Sequence, residues 1–313
     1  MGAVDASARG TVAARPVPRR LRRLLEDLEG YAFLLPATAV LAVFHLFPIG
    51  YAFYVSLLRW NLIDPVKPFV GAANYAALAS NPKFLTALAN TTYFSMVSVA
   101  VAIPLALVFA VLLNRKLTAM SWYRTAFFIP YVTPLAAAAM VWQWLYHPDQ
   151  FGLLNYVLHR LGIPEQQWLL NEHLAMPALI AVAIWGSLGR DIVIFLAGLQ
   201  NISQEYYEAA QIDGANAWQS FRYVTLPLLS PTTYFILVIS MIGAFKVFAL
   251  PLFMTGGGPL DRTLTIVFSI YREGFQYFRM GSAAAQAYVL FAVIFVITML
   301  QRRLLAGRVH YDT

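Results

Sequence analysis

Apolar residues run along this chain in six long blocks, at 31 to 58, 85 to 113, 123 to 146, 174 to 199, 231 to 255 and 283 to 301. Each is near or above the roughly 20 residues that carry a helix across a bilayer. Runs such as SMVSVAVAIPLALVFAVLL lack the residue-by-residue alternation of a membrane-barrel strand. Hydrocarbon offers no partner for open backbone groups, so the blocks read as helices. The pattern predicts an all-α integral membrane protein. Six transmembrane helices occupy residues 31–304, with a basic tail at 1–30 and a short C-terminal tail at 305–313.

The fourth and fifth blocks are joined by a polar, glycine-punctuated segment at 203–227. Ser203 suits the N-cap of a helix QEYYEAAQID, and Glu205 falls in its first turn, where negative charge complements the helix dipole. Gly214 tolerates the left-handed conformation that ends a helix. Asn216 and Gln219 have the spacing of a capping box opening a second helix, AWQSFRYVTL, which Pro227 is expected to interrupt. Helix, tight turn, helix is the expected form. Tyr206, Ile212, Trp218 and Phe221 would lie exposed on it unless another molecule covers them, so the segment reads as a docking element.

Composition agrees with the block pattern. Of 313 residues, 60% are hydrophobic and 12% charged, against about 25% charged in soluble domains. Placing both termini in the cytoplasm puts thirteen Lys and Arg residues inside, in the tail before Gly30, at Arg115, Lys116, Arg124 and Arg222, and from Arg302 onward. Seven then lie outside, at Arg59, Lys67, Lys83, Arg160, Arg262, Arg272 and Arg279. This asymmetry favours cytoplasmic termini, and with them a cytoplasmic 203–227 segment. The net charge of +7 is then explained by this bias and by contact with anionic membrane lipid, with no nucleic-acid partner implied. The first apolar block is near 28 residues, well beyond the 7–15 of a signal-peptide core, so it is expected to remain as an anchor. The outer loops at 59–84, 147–173 and 256–282 are too short to be domains.

The chain lacks the usual means of catalysis. Without cysteine there is no disulfide, thiolate or zinc-thiolate chemistry. No GxxxxGK[ST] occurs, and none of Lys67, Lys83, Lys116 and Lys246 follows a glycine, so no Walker loop cradles a nucleotide. His45, His147, His159, His173 and His310 are scattered, without an HExxH pair. Asp191 is the only carboxylate in the six blocks, whereas ion-driven carriers rely on several buried polar groups. Any energy the chain uses must come from outside it.

Three charges stand deep inside the blocks, away from their ends: Arg190 and Asp191 in the fourth and Lys246 in the fifth. Each costs at least about 2.5 kcal/mol on insertion scales and needs a partner or water. Counted from their cytoplasmic ends, Lys246 lies about 8 Å higher than the other two at 1.5 Å per residue. Asp191 reaches Lys246 only with both side chains extended. Gly186 and Gly189 interrupt the fourth block, and Pro130 with Pro134 bends the third. Such breaks expose backbone groups to a ligand, and glycine also serves plain helix packing.

Glu208-Ala209-Ala210, three residues, Gly214, nine residues and Val224-Thr225-Leu226-Pro227 resemble the EAA motif of binding-protein-dependent ABC importer permeases, with Val where Ile is commoner. LFPIGYAFYVSL, VGAANYAAL, WYRTAFFIPYVTP and MTGGGPLDRT extend the resemblance from about residue 30 onward, to the larger membrane subunit of maltose-type and multiple-sugar importers. The resemblance implies a permease that is half of a pore for a sugar or related polyol, glycerol phosphate included, in a bacterial or archaeal cell membrane. Its implied partners are a second, similar permease, a cytoplasmic ATPase dimer and an extracytoplasmic solute-binding protein. The chain itself would need no cofactor, ATP and Mg being held by the ATPase. Glu208 matches the family's acid, which would pair with a basic group in the ATPase cleft. Ala209 and Ala210 would allow close approach, Asp213 and Gly214 would form the turn, and Leu226 and Pro227 would close the motif. Where this chain has Phe245-Lys246-Val247-Phe248, the sugar importers often carry asparagines at the two central positions. Lys246 is thus expected either to face the solute path, with Phe245 or Phe248 offering a ring to sugar C–H groups, or to form an ion pair between spans. Arg190, Asp191 and Gly189 complete the expected path.

Overall fold

The computed structural model describes residues 19–114 and 120–305. Residues 1–18 of the basic tail, Arg115, Lys116 and residues 306–313 lie outside the described residues. Among the described residues the only strand-like pairings are two isolated bridges, Leu58 with Phe69 and Asn61 with Arg279.

Two compact units divide between Ala52 and Phe53. The first holds α1 (Arg19–Leu41), a π turn at Ala42–Leu46 and the start of α2 (Phe47–Ser56), whose last turn belongs to the second; Gly30–Ser56 is an apolar stretch long enough to cross a bilayer. The second unit continues with α3 (Ala73–Ala79), α4 (Pro82–Leu113), α5 (Met120–Val132), α6 (Leu135–Leu145), α7 (Leu153–Arg160) and α8 (Ala175–Gln200). After these come α9 (Gln204–Ile212), α10 (Ala217–Ser220), α11 (Leu226–Leu228), α12 (Ser230–Phe245), α13 (Ile266–Tyr271) and α14 (Met280–Leu305).

The long pair α4 and α8 forms the centre of the second unit, with α12 against α4 and α5 against α8. Small residues let the backbones approach, as membrane helices require in the absence of a hydrophobic driving force between them. Ala106 and Ala110 of α4, both fully buried, meet Ile192, Phe195 and Leu196 of α8 in one cluster. Asn81 starts α4 by accepting from the Lys83 and Phe84 amides (3.0 and 3.4 Å), with Pro82 at the first helical position.

Two of the six expected spans are broken, each beside a proline. The third turns by 99° between α5 and α6, where Pro134 cannot donate to the preceding turn and opens α6 instead. The expectation of one continuous helix at 231–255 is corrected. Helix α12 stops at Phe245, the Lys246 and Val247 amides close a tight turn onto Gly243 and Ala244 (both 3.1 Å), and helical backbone resumes at Ala249. Pro251 supplies the reason, since in an unbroken helix its ring would press on the Val247 carbonyl and leave it unpaired. In the broken form that carbonyl accepts from Thr265 Oγ1 at 3.1 Å.

The chain beyond the helix ends is fixed by side-chain hydrogen bonds. Asn155, fully buried, donates to the carbonyls of His147, Pro148 and Gln166 and accepts from the Gln166 amide and Trp168 Nε1, all at 2.8–3.0 Å. Asn90 Nδ2 donates to the Asp261 and Leu264 carbonyls (2.8 and 3.0 Å), and Thr91 Oγ1 accepts from the Ile266 amide at 2.8 Å, holding the 256–265 loop to α4.

Candidate functional site

The 203–228 segment folds into two short helices whose ends are set by local bonding. Ser203 Oγ accepts from the Glu205 amide at 3.3 Å. Helix α9 ends in a Schellman arrangement, with the Gly214 amide bonded to Gln211 O at 3.0 Å and the Ala215 amide to Ala210 O at 2.9 Å, around Gly214 at φ +79°. Asn216 and Gln219 exchange both bonds of a capping box (2.8 and 2.9 Å). Tyr207 OH meets Thr225 Oγ1 at 3.1 Å, tying α9 to the second helix.

Pro227 does not interrupt that second helix, contrary to expectation. The backbone widens to a π turn at Phe221–Thr225, and helix continues through Leu228 before a 62° bend into α12. The Leu226 amide reaches back five residues to Phe221 O, so the Pro227 ring meets a loosened turn in place of a carbonyl four residues back. The same register occurs at Pro48, where the Phe47 amide bonds to Ala42 O across the π turn at Ala42–Leu46. Glu208, Ala209, Asp213 and Gly214 are exposed on this element, while Ala210, Leu226 and Pro227 are half-buried. Ile212, Trp218 and Tyr223 are also exposed, at 86%, 68% and 72%.

Both broken spans open onto one cavity of about 510 Å³. Its walls are Ser98 and Ala102 of α4, Tyr131 and Thr133 at the α5–α6 bend, Trp185, Gly186, Ser187, Arg190 and Asp191 of α8, Ser240 of α12, and Lys246 and Phe248 at the break. Convergent helix breaks lining a hollow are how membrane helices present backbone and polar groups to a solute. Trp185 is held edge-on by Trp142 (centroids 5.5 Å), and Phe248 packs at a tilt against Tyr271 (5.3 Å).

The three intramembrane charges divide differently from the Asp191–Lys246 pairing weighed from the sequence. Asp191, wholly buried, pairs with its neighbour: Arg190 Nε and Nη2 both reach Oδ1, at 2.9 and 2.8 Å. Arg190 Nη2 also donates to Ser240 Oγ at 2.8 Å, bridging α8 to α12. Lys246 is exposed to the cavity and, among the described residues, takes part in no ion pair or side-chain hydrogen bond. Asp191 Oδ2 is buried without a hydrogen-bond partner.

Two expected path residues are placed elsewhere. Phe245 is fully buried in a cluster with Phe84, Met241 and Ile266 and does not line the cavity, because it is the last residue of α12 and faces the helix bundle. Gly189 is buried against α5, where a β-carbon would collide with the Phe127 carbonyl, so it is a packing glycine. Gly186 lines the cavity with open space at its α-carbon. Ser240, Trp185 and Tyr131 were not singled out in the sequence. Ser240 carried a usable signal, as one of few polar residues in the apolar run of α12.

Residues 102–311 match the family model described as binding-protein-dependent transport system inner membrane component. The sn-glycerol-3-phosphate transport system permease protein UgpA of Agrobacterium fabrum is 36% identical over 284 residues, covering 90% of this chain and 96% of that protein. The arabinooligosaccharides transport system permease protein AraP of Bacillus subtilis is 38% identical over 276 residues, covering 88% of this chain and 87% of that one. In fold, the chain is similar to a subunit in the crystal structure of a bacterial ABC transporter involved in the import of the acidic polysaccharide alginate. The TM-score is 0.80 at 24% identity, over 93% of this chain and 99% of the other. A structure of the alginate transporter with its pentasaccharide-bound periplasmic protein matches with a TM-score of 0.78. By its helix pattern, its broken spans and this match across most of its length, the chain belongs to the inner membrane components of binding-protein-dependent transport systems, the permease subunits of ABC importers.

Proposed function

We propose that the chain is one of two pore-forming permeases of an importer for a carbohydrate or related polyol, glycerol phosphates included, with both termini in the cytoplasm. The observation that carries this reading is connectivity. The α9–α11 element is inserted directly between α8, which bears Arg190 and Asp191, and α12, which bears Ser240 and leads to Lys246. A rigid displacement of that element acts on both cavity walls at once.

In this reading the exposed Glu208 meets a basic group of a cytoplasmic ATPase, which holds ATP and Mg. Ala209 and Ala210 permit close approach, Asp213 and Gly214 set the turn, and Leu226 with Pro227 carry motion into α12. An extracytoplasmic binding protein delivers solute, and a second permease completes the pore. The sugar or polyol class is supported by the solutes for which the relatives are named, sn-glycerol-3-phosphate and arabinooligosaccharides.

Reconstitution with the partner subunits in proteoliposomes tests the proposal. Uptake should require ATP on the cytoplasmic side and persist when ionophores collapse proton and sodium gradients. Uptake that follows an ion gradient without ATP would refute it and favour a secondary carrier.

A further inference from the structure

Resting on that reading, we infer that the cavity selects a hydroxylated anion, a sugar acid or a sugar or polyol phosphate, through Lys246. The argument begins with the unequal condition of the two cations. Arg190 is already neutralised by Asp191 and committed to Ser240, so it adds dipole but no net charge to the cavity. Lys246 is exposed to the same cavity with no ion pair among the described residues. One uncompensated positive charge remains.

The position of that charge makes it expensive. Helix α12 has 16 residues, so Lys246 lies about 24 Å along the axis from the loop end at 1.5 Å per residue, in the outer third of a hydrocarbon layer about 30 Å thick. Water in an open cavity solvates the ammonium. A neutral solute filling the cavity displaces that water and leaves the charge stripped. A carboxylate or phosphate replaces the water with a charge-assisted hydrogen bond, which in a low dielectric is the stronger contact.

Hydroxyl recognition comes from a second, independent observation. Asp191 Oδ2 is buried at the same cavity with no hydrogen-bond partner, and a buried carboxylate oxygen of this type calls for a donor. Because that oxygen has no accessible surface of its own, a solute hydroxyl supplies the donor only where the wall opens at Asp191; the ring of Phe248 lines the same cavity and offers the solute an apolar face. The turn that breaks α12 puts Lys246 at this place, since Lys246 caps the helix. The volume of about 510 Å³ suits a small solute or one end of a longer one.

The test uses the full complex in nanodiscs of zwitterionic lipid alone, so that no lipid headgroup supplies the anion. Direct binding is measured for two matched probe pairs, galacturonate against galactose and glycerol 3-phosphate against glycerol. In the wild type the anionic member of a pair should bind tighter. Lys246→Gln should shrink the anionic-to-neutral affinity ratio by about tenfold or more, the factor expected for one charge-assisted bond, and Lys246→Arg should keep most of it. A ratio unchanged in Lys246→Gln would overturn the inference. So would loss of assembly with the partner permease in Lys246→Gln, with the ratio intact in what does assemble, because Lys246 would then be an inter-subunit ion-pair partner. Repeating the assay with anionic lipid added separates the remaining source: if the lipid abolishes the preference, Lys246 reads headgroups and the inference fails. Wild-type complex that lacks ATP-driven uptake would instead remove the importer reading itself, whatever Lys246 does.

Discussion

Gly214→Ala perturbs the turn of the candidate coupling element without touching a contact. Gly214 has φ +79°, and a β-carbon built on it meets nothing within 4 Å, so the cost is backbone conformation alone. An L-residue in the left-handed region costs about 1–2 kcal/mol, and the reduced entropy of the unfolded alanine chain returns about 0.4–1 kcal/mol. The net is about 1 kcal/mol, roughly a fivefold shift in the opening equilibrium of the turn. Hydrogen exchange at the Gly214 and Ala215 positions reads this directly, because their amides bond to Gln211 O and Ala210 O and exchange only when the turn opens. Exchange in the alanine variant should be about fivefold faster, and in Gly214→Asn close to wild type, since asparagine tolerates this conformation. An alanine variant as protected as wild type would refute the left-handed turn and the rigidity assigned to it.

Further outcomes are expected at three places in the fold. Arg190→Met strands Asp191, which is wholly buried. Breaking a buried pair costs about 3–5 kcal/mol, so thermal unfolding of the variant should start several degrees lower, and Arg190→Met with Asp191→Leu should recover most of the loss. Gly189→Ala should destabilise by about 1–3 kcal/mol through the clash with the Phe127 carbonyl, whereas Gly186→Ala, with nothing near its β-carbon, should be neutral or slightly stabilising in the same melt. Asn155→Ala removes five buried hydrogen bonds from the 147–168 loop. At about 1–3 kcal/mol for each group left unpaired, proteolysis should cut that loop in the variant and spare it in the wild type.

The loop was legible in the sequence because its determinants are local. Ser203, Gly214, Asn216 and Gln219 each act within three residues of their own positions, and spacing alone reveals them. Pro227 misled for the same reason. A proline predicts a break four residues deep, and the π turn at Phe221–Thr225 removes the clash by moving the bond one residue further back. Pro251 was the readable sign that the fifth block is broken, and it was missed because the block stays apolar on both sides of Lys246. The Arg190–Ser240 bridge joins residues fifty positions apart, and whether Phe245 or Phe248 faces the cavity depends on where α12 ends, with Phe245 in the helix and Phe248 beyond the break. Neither is written in periodicity, since a membrane helix is apolar all round.

The most direct test of the account is solute-stimulated ATP hydrolysis by the purified complex with its binding protein in nanodiscs, wild type against Glu208→Lys. With Glu208 seated on a basic group of the ATPase, the account predicts stimulation by solute in the wild type and its loss in Glu208→Lys while the subunits still co-purify. Equal stimulation in both would contradict the coupling role of the 203–227 element.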